Sequence, residues 1–255
     1  MTTKKSSKGG NFSHLTKNYQ EARREYPQAV IEYCQTFFKP LKKAVVLDLG
    51  CGTGIFTRQI ASSDSFTVGC DNDLKMLEVA MAIPSVNTSY VLGSGGNIPF
   101  SDNYFDIVAA FGSFHWIVWH EKEAAIKEIW RVLKSKGLFL VVNKTDISSL
   151  ASDVKRVIAR NSSEPLLEVR KEYYPEKILE SSGFANIKVK QFETVEKFSI
   201  DEALKQVQSM SSWNFVKEDK REATLDEVEL LLKNRMMNNI VERKLNVIVV
   251  GAWKT

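Results

Sequence analysis

The chain is poor in the features that mark several large classes of protein. Its 255 residues include three cysteines, Cys34, Cys51 and Cys70. Their odd number and the absence of C-x-x-C spacing argue against both a disulfide framework and a zinc site. Three histidines are present, His14, His115 and His120. The last two are five residues apart rather than four, so one helical face does not align them and no metal is expected. No run of about 18 apolar residues is available for a membrane span, and the opening MTTKKSSKGG has no apolar core of a secretory signal. A cytoplasmic location without a membrane partner is expected. No internal repeat or low-complexity run follows residue 10.

Charge is equally unremarkable in amount. The net value of +4 comes from 35 basic and 31 acidic residues, and much of the excess lies in Lys4, Lys5 and Lys8. Residues 1–10 read as a mobile basic tail. No stripe interleaves Lys or Arg with aromatics, and no N-P-P-Y-type tetrapeptide is visible, so a nucleic-acid partner is not expected. The 44% apolar content suits an ordinary globular core.

What is present is concentrated in one run, VVLDLGCGTGIFTRQIA, Val45 to Ala61. Val45, Val46, Leu47 and Leu49 read as a buried parallel strand interrupted by Asp48. Gly50, Gly52 and Gly54 then allow positive φ and close backbone approach to a ligand. A helix follows, with Ile55, Phe56 and Ile60 on its apolar stripe and a first turn of unpaired N–H groups suited to an anion. A dinucleotide site needs G-x-G-x-x-G, but the position of its third glycine is Ile55, which disfavours NAD. The next apolar strand, Phe66 to Cys70, ends at Asp71. That residue is placed to accept from two ribose hydroxyls; the alternative is a helix cap by Asp71 or Asp73.

The stretch Asp48-Leu-Gly-Cys-Gly-Thr-Gly54 resembles the first motif of the Rossmann-like S-adenosylmethionine (SAM)-dependent methyltransferases. GSGGNIPFSDNYFDIVAAFGSFHWI, Gly93 to Ile117, is similar to that family's G-D-A-E-x-L-P-F…F-D-x-V block, and KEIWRVLKSKGLFLVV to the segment leading into its fifth strand. Together these cover roughly residues 45 to 143. Tyr19, Arg23, Tyr26 and Pro27 match a Y-x-x-x-R-P-x-Y-P signature of the trans-aconitate methyltransferase-like, type 11 small-molecule subgroup, with Arg24 in place of the first proline.

The resemblance implies an α/β fold: a Rossmann-like, seven-stranded, mostly parallel sheet of order 3-2-1-4-5-7-6, its last strand antiparallel, with helices on both faces and a helical lid. Strands are expected near 45–49, 66–71, 88–92, 105–111, 137–143, 186–195 and 246–253. A single domain would span 11–255: lid helices over 11–40, a cofactor-binding core over 41–145, and acceptor-side helices with the final strand pair over 146–255.

The implied cofactor is SAM, leaving as S-adenosylhomocysteine (SAH). Its expected contacts are Tyr19, Arg23, Asp48, Gly50, Cys51, Gly52, Thr53, Gly54, Asp71, Asn72, Met76, Ser94, Gly95, Gly96 and Phe111. Arg23 is the candidate partner of the SAM carboxylate; the alternative is a solvent-facing charge on a helix from Glu21 to Arg24. Cys51 is a small packing residue in this family rather than a nucleophile. Ser94 stands where the family has an acid accepting from the adenine amine, and Gly95-Gly96 replace Ala-Glu, so adenine should be held more weakly.

His115 and Trp116 leave the fourth strand at the edge where the methyl group should point, and border the acceptor. His115 is the candidate base for a hydroxyl or amine acceptor, the alternative being packing beside Trp116. Ser211 and Trp213 follow a helix whose Ile200, Ala203, Leu204 and Val207 are expected to pack on the core. They resemble a stretch facing the acceptor, although Trp213 also suits a core. The expected activity is methyl transfer to a small molecule, by resemblance the O-methylation of an organic acid. The rivals are a nucleic-acid methyltransferase and a SAM-binding protein without transferase activity. Nothing in the sequence fixes the oligomeric state.

Overall fold

Alternating hydrophobicity along two central strands sets the architecture. In the computed structural model, which describes residues 22–38, 41, 43–62, 65–166 and 172–255, β4 (Phe105–Phe111) sends Ile107, Ala109 and Phe111 to one apolar cluster and Val108 and Ala110 to another. β5 (Leu133–Asp146) splits likewise, Leu138, Leu140 and Val142 from Phe139 and Val141. Side chains two apart share a face, so both faces of the sheet centre are buried, as a parallel sheet requires.

The chain divides into two compact units. The first comprises the described residues of Glu25–Lys144, Val169–Phe192 and Val247–Thr255. It contains β1 (Ala44–Leu49), β2 (Ser65–Asp71), β3 (Thr88–Leu92) and β4, in parallel pairs β2–β3, β1–β2, β1–β4 and, with β5, β4–β5. Helices α1 (Gln28–Thr36) and α2 (Ile55–Ile60) bring Val30, Ile31, Phe56 and Ile60 to the Ile107 face. Helix α4 (Phe114–Val132) brings Phe114, Ile129 and Val132 to the opposite one, and α6 (Pro175–Ser181) adds Leu179. Helix α3 (Leu74–Ala82) connects β2 to β3.

The sheet order is β3-β2-β1-β4-β5-β7-β6, with β6 at Ala185–Phe198 and β7 at Val241–Trp253. It is a seven-stranded mixed sheet of the expected order. The first four strands match the expected ranges to within one residue. β5 and β6 are longer at both ends and β7 at its start, and β5 starts at Leu133 because the β4 pairing is shifted between Phe105 and Ile107 to accommodate the Lys134–Gly137 stretch.

The second unit comprises the described residues of Met1–Arg24, Thr145–Glu168 and Glu193–Asn246. Its helices are α5 (Ser149–Arg160), α7 (Ile200–Gln208) and α8 (Arg221–Lys233). Ser199 caps α7 in a capping box with Glu202, satisfying an orphan N–H at each end of the pair. The unit has its own apolar cluster, with Leu150, Val154 and Ile158 of α5, Ala203 and Val207 of α7, and Val228 and Leu232 of α8. The α7 stripe expected on the sheet core packs here instead, with Ile200 and Leu204 at its margin. Trp213, in the 3-10 helix Ser211–Phe215, is 6% exposed within the same cluster. Trp213→Ala should destabilise the protein by about 3–5 kcal/mol, the usual cost of truncating a buried large aromatic. Chemical denaturation checks this; a change below about 1 kcal/mol would contradict a core position.

Candidate active site

The carboxyl ends of β1, β2 and β4 converge on the glycine loop. Gly50 N–H and Cys51 N–H both donate to the Cys70 carbonyl, at 2.7 and 3.1 Å, which folds the loop back on the end of β2. Asp71 completes the tie: its Oδ2 accepts from Gly52 N–H at 2.7 Å and its Oδ1 from Asp73 N–H at 2.9 Å. The cap of α3 belongs to Asp73, which accepts from Lys75 N–H at 3.0 Å. Each Asp71 oxygen therefore retains a lone pair for a further donor.

The loop's conformation requires glycine. Gly50 has φ +73°, and a Cβ there would stand 2.5 Å from Ser113 Cβ. Ser113 itself donates to the Leu49 carbonyl at 2.6 Å, locking the β4–α4 turn onto the end of β1. Gly54, at φ +72°, is pressed by the Tyr90 hydroxyl and Arg58, the latter donating to the Thr53 carbonyl at 2.9 Å. The loop is thus braced from β3, α2 and the β4–α4 turn.

Asp48 is 1% exposed and its Oδ2 accepts from the Thr57 hydroxyl at 2.6 Å. Burial pushes its carboxyl up to about 7, against the Thr57 hydrogen bond and with help from the nearby Asp71 charge. Burial likewise raises Asp71, despite its hydrogen bonds from Gly52 and Asp73, and drives the Cys51 thiol well above its usual range, with the Asp48 and Asp71 charges adding to the effect. A neutral Cys51 is a poor nucleophile. Asp48 Oδ1 and Thr53 Oγ1 are buried without a hydrogen-bond partner among the described residues. Buried polar atoms are ordinarily satisfied, so these two, with the Cβ-free backbone around them, fit a loop that receives a polar ligand.

The remaining expected residues fall as follows. Asn72 is exposed and Met76 buried on α3. Ser94, Gly95 and Gly96 form the turn after β3, where Gly93 N–H donates to the Asp71 carbonyl at 3.0 Å. Phe111 stacks on Phe56 and meets Tyr26 edge-on at 5.0 Å, so its ring belongs to the apolar layer beneath the loop. His115 is 4% exposed, with ring centroids 5.5 Å from Trp116 and 5.9 Å from Tyr173. Arg23 lies in the second unit, outside any helix, and its Nη2 donates to the Ser209 carbonyl at 3.3 Å. It is half-buried, so the reading of Arg23 as a solvent-facing charge on a helix does not hold. Ser211 also belongs to that unit. Tyr19, Phe12, His14 and the tail lie outside the described residues.

Sequence reasoning missed several groups. Gln59 latches the Tyr26 backbone to α2 from both sides, accepting from Tyr26 N–H at 3.0 Å and donating to its carbonyl at 3.2 Å. Asn143, 5% exposed on β5, donates to the Tyr173 hydroxyl at 3.2 Å, and its Oδ1 is buried without a partner among the described residues. Gly112 N–H bonds the Val142 carbonyl at 2.8 Å, which sets Asn143 level with the turn carrying His115. The signal for Asn143 was a polar residue ending an otherwise apolar strand; Gln59 and Tyr173 offered none.

Comparison with known proteins agrees with this geometry. A family described as Methyltransferase domain matches residues 47–141. An uncharacterized methyltransferase of Schizosaccharomyces pombe is 31% identical over 229 residues, 86% of this chain and 87% of that protein. The chain belongs to the Rossmann-like, SAM-dependent methyltransferases. Among solved structures, a putative type II methyltransferase from Anaeromyxobacter dehalogenans superposes with a TM-score of 0.65 at 17% identity, covering 91% of this chain and 97% of that one. Phosphoethanolamine N-methyltransferase 2 of Haemonchus contortus, in complex with phosphomonomethylethanolamine and SAH, gives 0.55 at 18% identity, covering 96% and 57%.

SAM is the cofactor of this methyltransferase. Among the described residues no group of His, Cys, Asp or Glu is placed to hold a metal ion, and no helix is long and apolar enough to cross a membrane.

The buried Asp48 yields a pH test. An unfolded aspartate ionises near 3.8, whereas the folded one holds its proton up to about 7. The folded state therefore binds more protons between these values, and the contribution of Asp48 to stability is full below about 4 and falls as pH rises through about 7. Asp48→Asn carries no such proton. The stability of the wild type relative to this variant should decline from pH 4 to 8 in thermal unfolding; a flat difference would contradict the buried carboxyl.

Proposed function

We propose that this methyltransferase acts on a small molecule and O-methylates an organic acid. The observation that carries the proposal is the convergence of His115, Tyr173 and Asn143, from three different elements, at the carboxyl edge of the sheet beside the glycine loop. The Tyr173 hydroxyl, whose oxygen accepts from Asn143, keeps its own proton to donate to a carboxylate, and the His115 ring supplies a second donor. The Tyr26 and Pro27 match to the trans-aconitate-like signature supports the acid, and the phosphomonomethylethanolamine of the Haemonchus contortus neighbour supports a small acceptor in general.

In the proposed binding mode Asp71 accepts from the ribose hydroxyls. Asp48 and Thr53 offer their buried oxygens to the polar end of the same ligand, and the Ser94–Gly96 turn borders the adenine. The cofactor supplies a methyl group on a sulfonium, and in-line displacement forms a carbon–oxygen bond as the carbon–sulfur bond breaks. A carboxylate acceptor carries no proton to remove, so His115 then orients rather than deprotonates; with a hydroxyl or amine acceptor it would take the proton. The remaining work of the chain is alignment and exclusion of water, and His115 at this edge is itself buried.

Asp71→Ala should weaken SAH binding more than tenfold, because a charged bidentate partner contributes about 1.5–3 kcal/mol; an unchanged dissociation constant would contradict the ribose assignment. The acceptor class is tested by incubating the full chain with methyl-labelled SAM and panels of carboxylic acids, phenols and amines. Methyl esters release labelled methanol in mild alkali, so alkali-labile product is expected with the acids. Alkali-stable product would reject O-methylation of a carboxyl group, and no transfer to any acceptor, cell extract included, would favour the SAM-binding protein without transferase activity.

A further inference from the structure

Two departures from the family pattern meet at one point in space. Ser94 replaces an acid and Gly95-Gly96 replace Ala-Glu; the side chain that occupies the vacated volume is Glu121 of α4. Its Oε1 lies 2.9 Å from where a Cβ on Gly95 would stand, and its Oε2 2.7 Å from that on Gly96. The family's Ala-Glu would collide with it. Oε2 also accepts from the Ser94 hydroxyl at 3.5 Å, the one hydrogen bond of this carboxylate among the described residues.

Glu121 is also where α4 breaks. Its backbone, at φ −146° and ψ 41°, departs from helical values between two helical stretches, with no proline or glycine to cause the break. Beside it Ile117 lies 2.5 Å from the Gly95 Cβ position, and forms an apolar wall against the same turn. Gly93 N–H bonds the Asp71 carbonyl, so the Ser94–Gly96 turn, with Ile117 and Glu121 against it, adjoins the residue proposed to hold the ribose.

We infer that Glu121 is the acceptor for the exocyclic amine of the adenine, supplying from α4 the negative charge that the β3 turn lacks at Ser94. The inference rests on the SAM reading of the glycine loop and assigns purine specificity within it. It alters the sequence-based expectation of weak adenine binding: the charge is relocated, and the two glycines make room for it.

The test is calorimetric titration of the full chain and of its Glu121→Ala and Glu121→Gln variants with two ligands. One is SAH; the other is its 6-deamino analogue, in which purine replaces adenine. The wild type should prefer SAH by about tenfold, the scale of a charge-assisted hydrogen bond. Glu121→Ala should bind both ligands with the wild type's affinity for the analogue, losing the preference alone. Glu121→Gln, which keeps a carbonyl acceptor, should retain part of it. Undiminished preference in Glu121→Ala would overturn the assignment. A wild type that binds neither ligand would instead overturn the cofactor reading beneath it, so the two failures are distinguishable.

Discussion

The carboxylate of Asp71 is the contact on which the site depends. By accepting from Gly52 N–H and Asp73 N–H it joins the glycine loop, the end of β2 and the start of α3. The loop on the other side is pressed by Ser113, Tyr90 and Arg58, which fill the space that side chains at Gly50 and Gly54 would need. The glycines thus serve two ends: they allow positive φ, and they let the protein's own side chains brace the loop. A loop held in this way loses little further freedom when a ligand arrives, which is what preorganisation means energetically.

Electrostatics follow from the same packing. Asp48 is buried and Asp71 and Cys51 beside it are half-buried, and each is shifted toward its neutral form, chiefly by desolvation. A ligand bearing a sulfonium and an ammonium would favour the charged carboxylates and offset part of that desolvation. By linkage, ionisation of Asp48 and binding of a cation then strengthen each other. The demethylated product cofactor lacks the sulfonium charge, so the pocket has reason to hold SAM and release SAH.

The central architecture was legible because its signals are local and periodic. Apolar runs of β1 and β2, glycines at fixed spacing and the acid that closes β2 place the loop within a short stretch of chain, and the family resemblance of the same stretch supplied the sheet order. What was not legible depends on distant partners. Arg23 meets the carbonyl of Ser209, 186 residues away, and nothing near Arg23 announces that. Trp213 suits a ligand wall and an apolar core equally in sequence, and Phe111 reads as a cofactor contact; in the structure both lie in apolar clusters. Glu121 sits in a helical pattern free of proline and glycine, so its departure from the helix has no signature. Its role emerges only when Ser94, Gly95 and Gly96 are seen beside it.

The central claim is a braced glycine loop built for an adenosyl sulfonium and not for a dinucleotide. Titration calorimetry of the full chain with SAM, SAH, NAD and NADP tests it most directly. The account predicts saturable binding of SAM and SAH at one site per chain and no heat from NAD or NADP. Saturable binding of NAD with none of SAH would contradict it, and would mean that Ile55, where a dinucleotide loop has its third glycine, does not exclude the pyrophosphate.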